Sequence, residues 1–181
     1  VKALVTSREP LALQEEQRYP IEGLAVPDLE AVLPDQPLHG ENALTLFVQV
    51  ARRVQYSFQL TTANALDVAR VCRLVGGMPL AIQLAASWIA LLSPAEIAAE
   101  IAADLRFLNT SRSDLPERHR SLVAVIEPSW RRLSPAEQDA FSRLCLCRGG
   151  VTRADAQVLT GCSLATLARL QGQSFLQYAS E

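Results

Sequence analysis

The sequence contains almost no lysine. Lysine and arginine together make up 17 of its 181 residues, and Lys2 is the only lysine. A P-loop requires the pattern G-x-x-x-x-G-K-[ST], in which lysine neutralises phosphate charge. No glycine precedes Lys2, so the pattern is absent, and no apolar strand ends in paired acidic residues. We therefore expect that these residues alone do not hydrolyse ATP and do not form an enzyme.

Cysteine and histidine are also scarce. The four cysteines are Cys72, Cys145, Cys147 and Cys162. Because they lack C-x-x-C spacing and no basic signal-peptide region is present, we expect free, buried core thiols in the cytoplasm and no metal site. His39 and His119 lie in polar stretches, and we expect both to be exposed loop residues. The absence of G-x-S-x-G argues against one common arrangement for nucleophilic catalysis.

Neither sign of charge dominates, and long apolar runs are missing. The formal net charge is -2, which by itself points to neither nucleic acid nor a membrane as partner. No run of about 18 apolar residues free of charges and helix breakers occurs, so we expect no transmembrane helix. Hydrophobic residues make up 49% of the chain, enough for a sizeable core in one large domain or two small ones.

Helical periodicity dominates after residue 40. Apolar residues recur at i, i+3, i+4 and i+7 in Leu44, Phe47, Val48 and Ala51. This spacing predicts an amphipathic helix, and a second helix is expected at about 64–75. The run 80–92 is apolar nearly all round, which predicts the buried centre of a helical bundle.

The tetrapeptide Ser-Pro-Ala-Glu occurs twice, at 93–96 and at 134–137. Each copy combines a capping box with proline at the first helical position, so each predicts the start of a helix. Gly149 and Gly150 predict a turn. Further helices are expected at about 121–132, 153–160 and 163–171.

Three short segments have the composition of strands. Residues 1–6 form an apolar run ended by Pro10, which predicts a buried strand. Residues 17–24 predict a second strand, and residues 174–181 predict the first strand of a hairpin. Isolated strands are marginal, so we expect them to pair with a sheet outside these residues, in a longer protein.

The strongest helix breakers stand together in Gly76-Gly77-Met78-Pro79. A glycine can adopt the left-handed conformation that closes a helix, and proline is tolerated as the first residue of the next one. The pattern predicts a helix–helix junction in which Gly76 or Gly77 is left-handed and Pro79 begins a helix.

Three stretches in this order resemble a known family. They are "LVTSREPL", "VCRLVGGMPLAIQLAASWI" and "RHRSLVAVIEPSWRRLSPAEQDAFSRLCLCRGGVTRADAQVLTG". They resemble the STAND class of signalling NTPases, in its NB-ARC-like bacterial branch, whose members are large regulators that often carry LuxR-type or SARP DNA-binding domains. The resemblance implies a mainly α fold: a helical bundle and a winged-helix-like domain, with a short strand remnant of a P-loop α/β domain at the N-terminus.

The resemblance also implies domain bounds. Residues 1–30 would be the end of the P-loop α/β domain, and residues 40–108 a small helical domain. Residues 118–181 would form a truncated winged-helix-like domain. The polar, non-periodic residues 109–117 are expected to be the linker.

Two motifs carry the nucleotide contacts that the resemblance implies. The cofactor-binding residues would be Thr6, Ser7, Arg8, Gly77, Met78, Pro79 and Leu80. Arg8 matches the arginine of a "TSR"-type motif that senses the γ-phosphate after a core strand, and its planar fork suits phosphate oxygens. Pro79 matches the proline of a "GxP" motif that packs near the adenine ring. The alternatives are a surface arginine and a purely structural junction.

The resemblance implies a regulatory segment of an ADP/ATP-dependent switch, in a bacterial transcriptional regulator of the cytoplasm. The cofactor would be ADP or ATP, with Mg in the full-length protein. Its tight binding would also require the phosphate cradle of an upstream P-loop domain, so we expect these residues alone to bind nucleotide weakly. Expected partners are that domain, downstream domains of the same chain and, on activation, other copies; no membrane is expected.

One alternative is a helical interaction scaffold. Another is a DNA-binding winged helix, disfavoured because residues 163–173 carry Arg169 as their only charge.

Overall fold

Helices account for nearly all the regular structure in the computed structural model. It describes residues 3–27, 42–110, 116, 119–147 and 149–177. The α-helices in these residues are α1 Ala43–Val54, α2 Ala65–Leu74, α3 Pro79–Ala86, α4 Pro94–Ala103, α5 Leu122–Trp130, α6 Pro135–Leu144, α7 Arg153–Thr160 and α8 Leu164–Gly172. The expectation of a mainly α, bundle-like fold is confirmed.

The chain divides into two compact units. One consists of Val1–Pro20 with Glu127–Glu181, and the other of Ile21–Ile126. We call them the split unit and the central unit. Each has its own hydrophobic core. The domain bounds that the resemblance implies, and the linker expected at 109–117, stay predictions.

The central unit is held together by α1 to α4. Helix α1 packs against α2 and α3, and α2 packs against α4. The apolar face predicted for α1 is buried as expected: Leu44, Phe47 and Ala51 are 0% exposed. Phe47 also lies against Phe58, with their ring centroids 6.1 Å apart. Burial of this face is what stabilises α1, since a helix of its length is marginal in isolation.

The apolar run after Pro79 is shorter as a helix than the sequence predicts. Helix α3 ends at Ala86, and a 3-10 helix covers Ser87–Ala90. Burial continues as far as Ile89, whereas Leu91 is 77% exposed. The run therefore begins in the core of the central unit, as predicted, but leaves it before its end.

The helices α6, α7 and α8 build the core of the split unit. Leu133, Ala140 and Leu170 are buried there. Three aromatic side chains flank them in edge-to-face contacts: Trp130, Phe141 and Phe175. The predicted turn at Gly149 and Gly150 is confirmed, because both have positive φ angles, 89° and 96°.

The strands predicted from composition are wrong wherever the structure describes them. Residues 3–27 and 174–177 contain no strand, and Leu4 is 100% exposed. In the described residues, β-type pairing is limited to a single bridge between Asn109 and Ser121. A strand needs a hydrogen-bonding neighbour, and a lone apolar segment has none. Residues 178–181 of the predicted hairpin lie outside the described residues.

Both predicted capping boxes are confirmed, but their surroundings differ. Ser93 caps α4 with Glu96, and Ser134 caps α6 with Glu137. Glu96 is exposed. Glu137 is only 3% exposed, and Nε of Arg169 lies 2.9 Å from its Oε1. The same tetrapeptide thus begins a helix at the surface in one unit, whereas in the other it begins α6 and also links α6 to α8.

The expectation of buried cysteines holds for Cys72 alone. All four thiols are free, but Cys145 is exposed, and Cys147 and Cys162 are half-buried. Helix α6 ends at Leu144, so the helical periodicity that would bury Cys145 no longer applies. His119 is exposed as expected, and His39 lies outside the described residues. In the described part of the chain, every helix is too short or too polar to span a bilayer.

Candidate functional site

The predicted junction between α2 and α3 closes with two left-handed glycines. Gly76 has φ 59° and Gly77 has φ 67°. The Gly76 N–H donates to the carbonyl of Arg73 at 3.0 Å, and the Gly77 N–H donates to the carbonyl of Cys72 at 3.0 Å. This is the Schellman pattern, which satisfies the last carbonyls of a helix. The sequence left open which glycine is left-handed; both are.

Residues 21–27 lie against this junction, backbone on backbone. The Leu24 N–H donates to the carbonyl oxygen of Gly77 at 2.8 Å. A Cβ atom on Gly23 would lie 2.2 Å from the Gly76 oxygen, and one on Gly77 would lie 2.1 Å from the Leu24 oxygen. Real side chains do not tolerate such distances, so glycine is required at both positions. We call Gly23, Leu24, Gly76 and Gly77 the backbone clasp.

The clasp is anchored to the core of the central unit. The Ala43 N–H at the start of α1 donates to the carbonyl of Ala25 at 3.1 Å. Leu24 and Val26 pack against the core from the same segment. The strand-like composition of residues 17–24 conceals the role of Gly23. A glycine inside a strand-like pattern often marks a close backbone approach, and that signal was available.

The start of α3 exposes apolar side chains to solvent. Pro79 is the first residue of α3, as predicted, and Met78 is the N-cap without a side-chain hydrogen bond. Met78 is 42% exposed, Pro79 is exposed and Leu80 is half-buried. By contrast, the N-cap side chains of α1, α4, α6, α7 and α8 all accept a hydrogen bond. Methionine cannot cap, so the N–H groups of the first turn of α3 have no side-chain acceptor from their N-cap.

Arg8 lies in a loop of the split unit, and its guanidinium bonds a buried hydroxyl. Thr6, Ser7 and Arg8 are all exposed, and the Ser7 hydroxyl accepts from the Glu9 N–H at 3.1 Å. The Nη1 of Arg8 donates to Oγ of Ser129 at 2.7 Å. Ser129 is only 6% exposed. The expectation that Arg8 follows a strand is wrong, because residues 3–7 form none.

The backbone around Arg8 is fixed as well. The Ser174 hydroxyl donates to the carbonyl of Arg8 at 2.6 Å. Ser174 has φ 63°, a left-handed conformation that non-glycine residues rarely adopt. Glu9 forms an ion pair with Arg132, with 3.2 Å between Oε1 and Nη1. No sequence motif singled out Ser129 or Ser174, since the contacts join residues more than a hundred positions apart.

The seven predicted cofactor-binding residues thus form two local groups. Thr6, Ser7 and Arg8 belong to the split unit, and residues 77–80 belong to the central unit. Within each group the structure gives a defined local geometry. Beneath the junction, burial raises the pKa of the Cys72 thiol to about 12, so this thiol stays protonated and unreactive. In the described part of the chain, no three His, Cys, Asp or Glu side chains are grouped to hold a metal ion.

This chain is similar to proteins of two mycobacteria. It is 33% identical over 147 residues to proteins named "Putative HTH-type transcriptional regulator" in Mycobacterium tuberculosis and Mycobacterium bovis, covering 81% of this chain and 15% of each relative. It is 34% identical over 118 residues to an uncharacterized protein of M. tuberculosis, covering 65% of this chain and 30% of that protein. The chain therefore spans less than a third of these relatives. No protein-family profile and no solved structure matches it.

Proposed function

We propose that this chain is the regulatory segment of an ADP/ATP-dependent switch in a bacterial transcriptional regulator. The similarity to part of the mycobacterial relatives supports a regulatory role at a coarse level. The nucleotide part of the proposal comes from the motif resemblance. One structural observation supports the nucleotide part: the backbone clasp holds an exposed Pro79 at the start of α3.

The clasp gives Pro79 the rigidity that a binding surface needs. Two left-handed glycines, a backbone hydrogen bond and the packing of Leu24 fix the position of the α3 start. Exposed Met78 and Pro79 then offer an apolar surface. An adenine ring has a flat face that such a surface can cover, while nearby backbone groups can bond its edge. A preorganised surface of this kind loses little entropy when a ligand binds.

Arg8 supplies the charge that the phosphate end requires. Arginine binds phosphate oxygens in pairs through its planar fork. The lysine of the phosphate cradle and the ligands of Mg would belong to a P-loop domain outside these 181 residues. The chain is thus not catalytically competent alone, and we expect ADP or ATP to bind tightly only when that domain is present.

The proposed switch works through unequal contacts with the two nucleotides. A ligand shifts a conformational equilibrium only by its difference in affinity for the two states. Arg8 would contact the γ-phosphate, which ATP has and ADP lacks, whereas Pro79 would contact the adenine that both share. The partners would be the P-loop domain, downstream domains of the same chain and further copies on activation, all in the cytoplasm.

A helical interaction scaffold without a nucleotide role is the second candidate. Exposed apolar side chains in the split unit favour it: Leu146 is 79% exposed, Val158 87% and Leu164 51%. Such surfaces suit protein contacts. The two candidates differ in whether the full-length protein contains a phosphate-binding lysine.

The experiment begins with the full-length coding sequence. A G-x-x-x-x-G-K-[ST] pattern upstream of residue 1 is expected, and the purified full-length protein should bind ADP and ATP in equilibrium titrations. Replacing the lysine of that pattern by alanine should weaken binding of both. If the pattern is absent, or if the full-length protein binds neither nucleotide, the scaffold is the better account.

A further inference from the structure

We infer that Ser129 and Ser174 are positioning residues that hold Arg8 ready for a γ-phosphate. The inference rests on the proposed function, in which Arg8 senses that phosphate. It adds that the sensor is completed by two residues that lie 121 and 166 positions after Arg8 in the sequence. The helices of the split unit would then take part in distinguishing ATP from ADP.

The side-chain contact fixes one corner of the guanidinium. Nη1 of Arg8 donates to Oγ of Ser129 at 2.7 Å. Among the described residues, none accepts a hydrogen bond from Nε or Nη2 of Arg8. Those two nitrogens form one edge of the planar fork, and that edge can bond two phosphate oxygens while Nη1 stays on Ser129. The contact therefore orients Arg8 and does not compete with phosphate.

Burial makes the contact costly to release. Ser129 is 6% exposed, so water cannot readily replace Arg8 as the donor to its hydroxyl. Leaving a buried polar group without its partner costs roughly 1–3 kcal/mol. Arg8 is hence expected to keep this bond when nucleotide arrives, as a positioning role requires.

The backbone of Arg8 is held by a residue under strain. Ser174 donates its hydroxyl to the Arg8 carbonyl at 2.6 Å and does so with φ 63°. This left-handed residue closes α8 in a Schellman pattern, because the N–H groups of Ser174 and Phe175 donate to the carbonyls of Gln171 and Leu170 at 2.9 Å each. Side chain and main chain of Arg8 are thus both fixed.

The neighbouring carboxylate is kept occupied. Glu9 is adjacent to Arg8 and could neutralise its charge. Instead Oε1 of Glu9 lies 3.2 Å from Nη1 of Arg132. This ion pair leaves the positive charge of Arg8 available for phosphate.

The test measures the ratio of ATP affinity to ADP affinity in the full-length protein. Ser129→Ala is expected to lower this ratio about tenfold, the effect of losing one charge-assisted hydrogen bond, with ADP affinity unchanged. Ser129→Thr keeps the hydroxyl and should restore the ratio. Ser142→Ala is the matched control, because Ser142 donates its hydroxyl to Gln138 within α6 and does not contact Arg8.

A second variant separates positioning from stability. Ser174→Gly removes the hydroxyl but relieves the left-handed strain, so the protein should unfold at the same or higher urea concentration while the ratio still falls. An unchanged or raised ratio in folded Ser129→Ala and Ser174→Gly would overturn the inference. Arg8→Gln distinguishes the two proposals. If Arg8→Gln leaves the ratio of ATP to ADP affinity unchanged, Arg8 is not the sensor. If Arg8→Gln lowers the ratio but the two serine variants do not, Arg8 is the sensor and the serines do not position it.

Discussion

Gly76 and Gly77 show how two adjacent, identical residues can be required for different reasons. Both adopt left-handed conformations. A Cβ on Gly76 would meet nothing within 4 Å, whereas one on Gly77 would lie 2.1 Å from the backbone oxygen of Leu24. The turn alone therefore requires glycine at position 76, whereas both the turn and the close contact with Leu24 require glycine at position 77.

This difference predicts unequal effects of alanine on stability. Gly76→Ala should lower the free energy of unfolding of the central unit by about 1 kcal/mol, the cost of left-handed strain. Gly77→Ala should lower it by roughly 2–4 kcal/mol, because overlap with Leu24 adds to the strain. Urea unfolding measures both, with Trp88 as the fluorescent reporter in a Trp130→Phe background. Equal losses would show that the clasp contributes nothing.

At the scale of single residues, the features that could be predicted from the sequence are those with a local cause. The positive φ of the glycines and the helix start at Pro79 follow from backbone sterics within a few residues. The bond from Arg8 to Ser129 joins residues 121 positions apart, and no local pattern contains it. Gly23 falls between these cases. A glycine inside a strand-like segment indicates a close backbone approach, but the sequence does not show that the approaching residue is Gly76.

At the scale of elements, the two capping boxes compare one sequence in two environments. Hydrogen bonds from the hydroxyl and N–H of Ser93 hold the pKa of Glu96 below its ordinary value. Hydrogen bonds from the N–H and hydroxyl of Ser134, with the charge of Arg169, do the same for Glu137. Glu137 alone is buried and paired with another helix.

We therefore expect Glu137→Gln to destabilise the chain more than Glu96→Gln. The first change removes a charge from a buried cap and leaves Arg169 without its partner, at a cost of roughly 1–3 kcal/mol. The second weakens a cap that water can largely replace, so its effect should be smaller. Trp130 reports the split unit in a Trp88→Phe background, and Trp88 reports the central unit in the Trp130→Phe background. A larger loss for Glu96→Gln would contradict the role given to burial.

The same carboxylate predicts a pH dependence. The folded-state pKa of Glu137 lies below its ordinary value of 4.5, so near that pH the unfolded chain binds more protons than the folded one. The stabilisation by Glu137 is then fully present above pH 4.5 and is lost as the pH falls through the folded-state pKa. The stability difference between wild type and Glu137→Gln should shrink in this window, as urea unfolding at several pH values would show. A difference independent of pH would contradict the assignment.

Helices were predictable from the sequence and strands were not, for a physical reason. A helix forms its backbone hydrogen bonds within itself, so its caps and its apolar face can be recognised in a short stretch of sequence, as in α1 and α6. A strand is completed only by a neighbour, and residues 3–7 have none here. The burial expected for Cys145 is wrong because α6 ends at Leu144, so Cys145 lies beyond the buried face of the helix.

At the scale of the whole molecule, charge pairing argues against DNA binding through α8. Arg169 is the only charged residue of α8, and it is engaged with Glu137. Binding of duplex DNA through α8 should therefore be weak and change little with salt, since this helix would neutralise few phosphates. Fluorescence anisotropy from 50 to 200 mM salt tests this, with Arg169→Gln expected to lower stability and leave DNA binding unchanged. A steep salt dependence that Arg169→Gln removes would favour the winged-helix alternative.

The residues predicted to bind nucleotide are divided between the two units. Thr6, Ser7 and Arg8 belong to the split unit, and residues 77–80 belong to the central unit. The order of motifs along a chain gives no information about the distance between them in space. What the sequence could not supply is the support around each motif, namely Gly23 for the junction and Ser129 and Ser174 for Arg8.

The central claim is that Pro79 contacts a nucleotide, and one pair of variants tests it most directly. Pro79 and Pro135 are both exposed prolines at the first position of a helix, but only Pro79 stands at the clasp. In the full-length protein, Pro79→Ala should weaken ADP binding about tenfold, an order-of-magnitude expectation for one lost apolar contact. Pro135→Ala should leave ADP affinity unchanged. Equal ADP affinities in wild type and both variants would contradict the account and return Pro79 to a purely structural role.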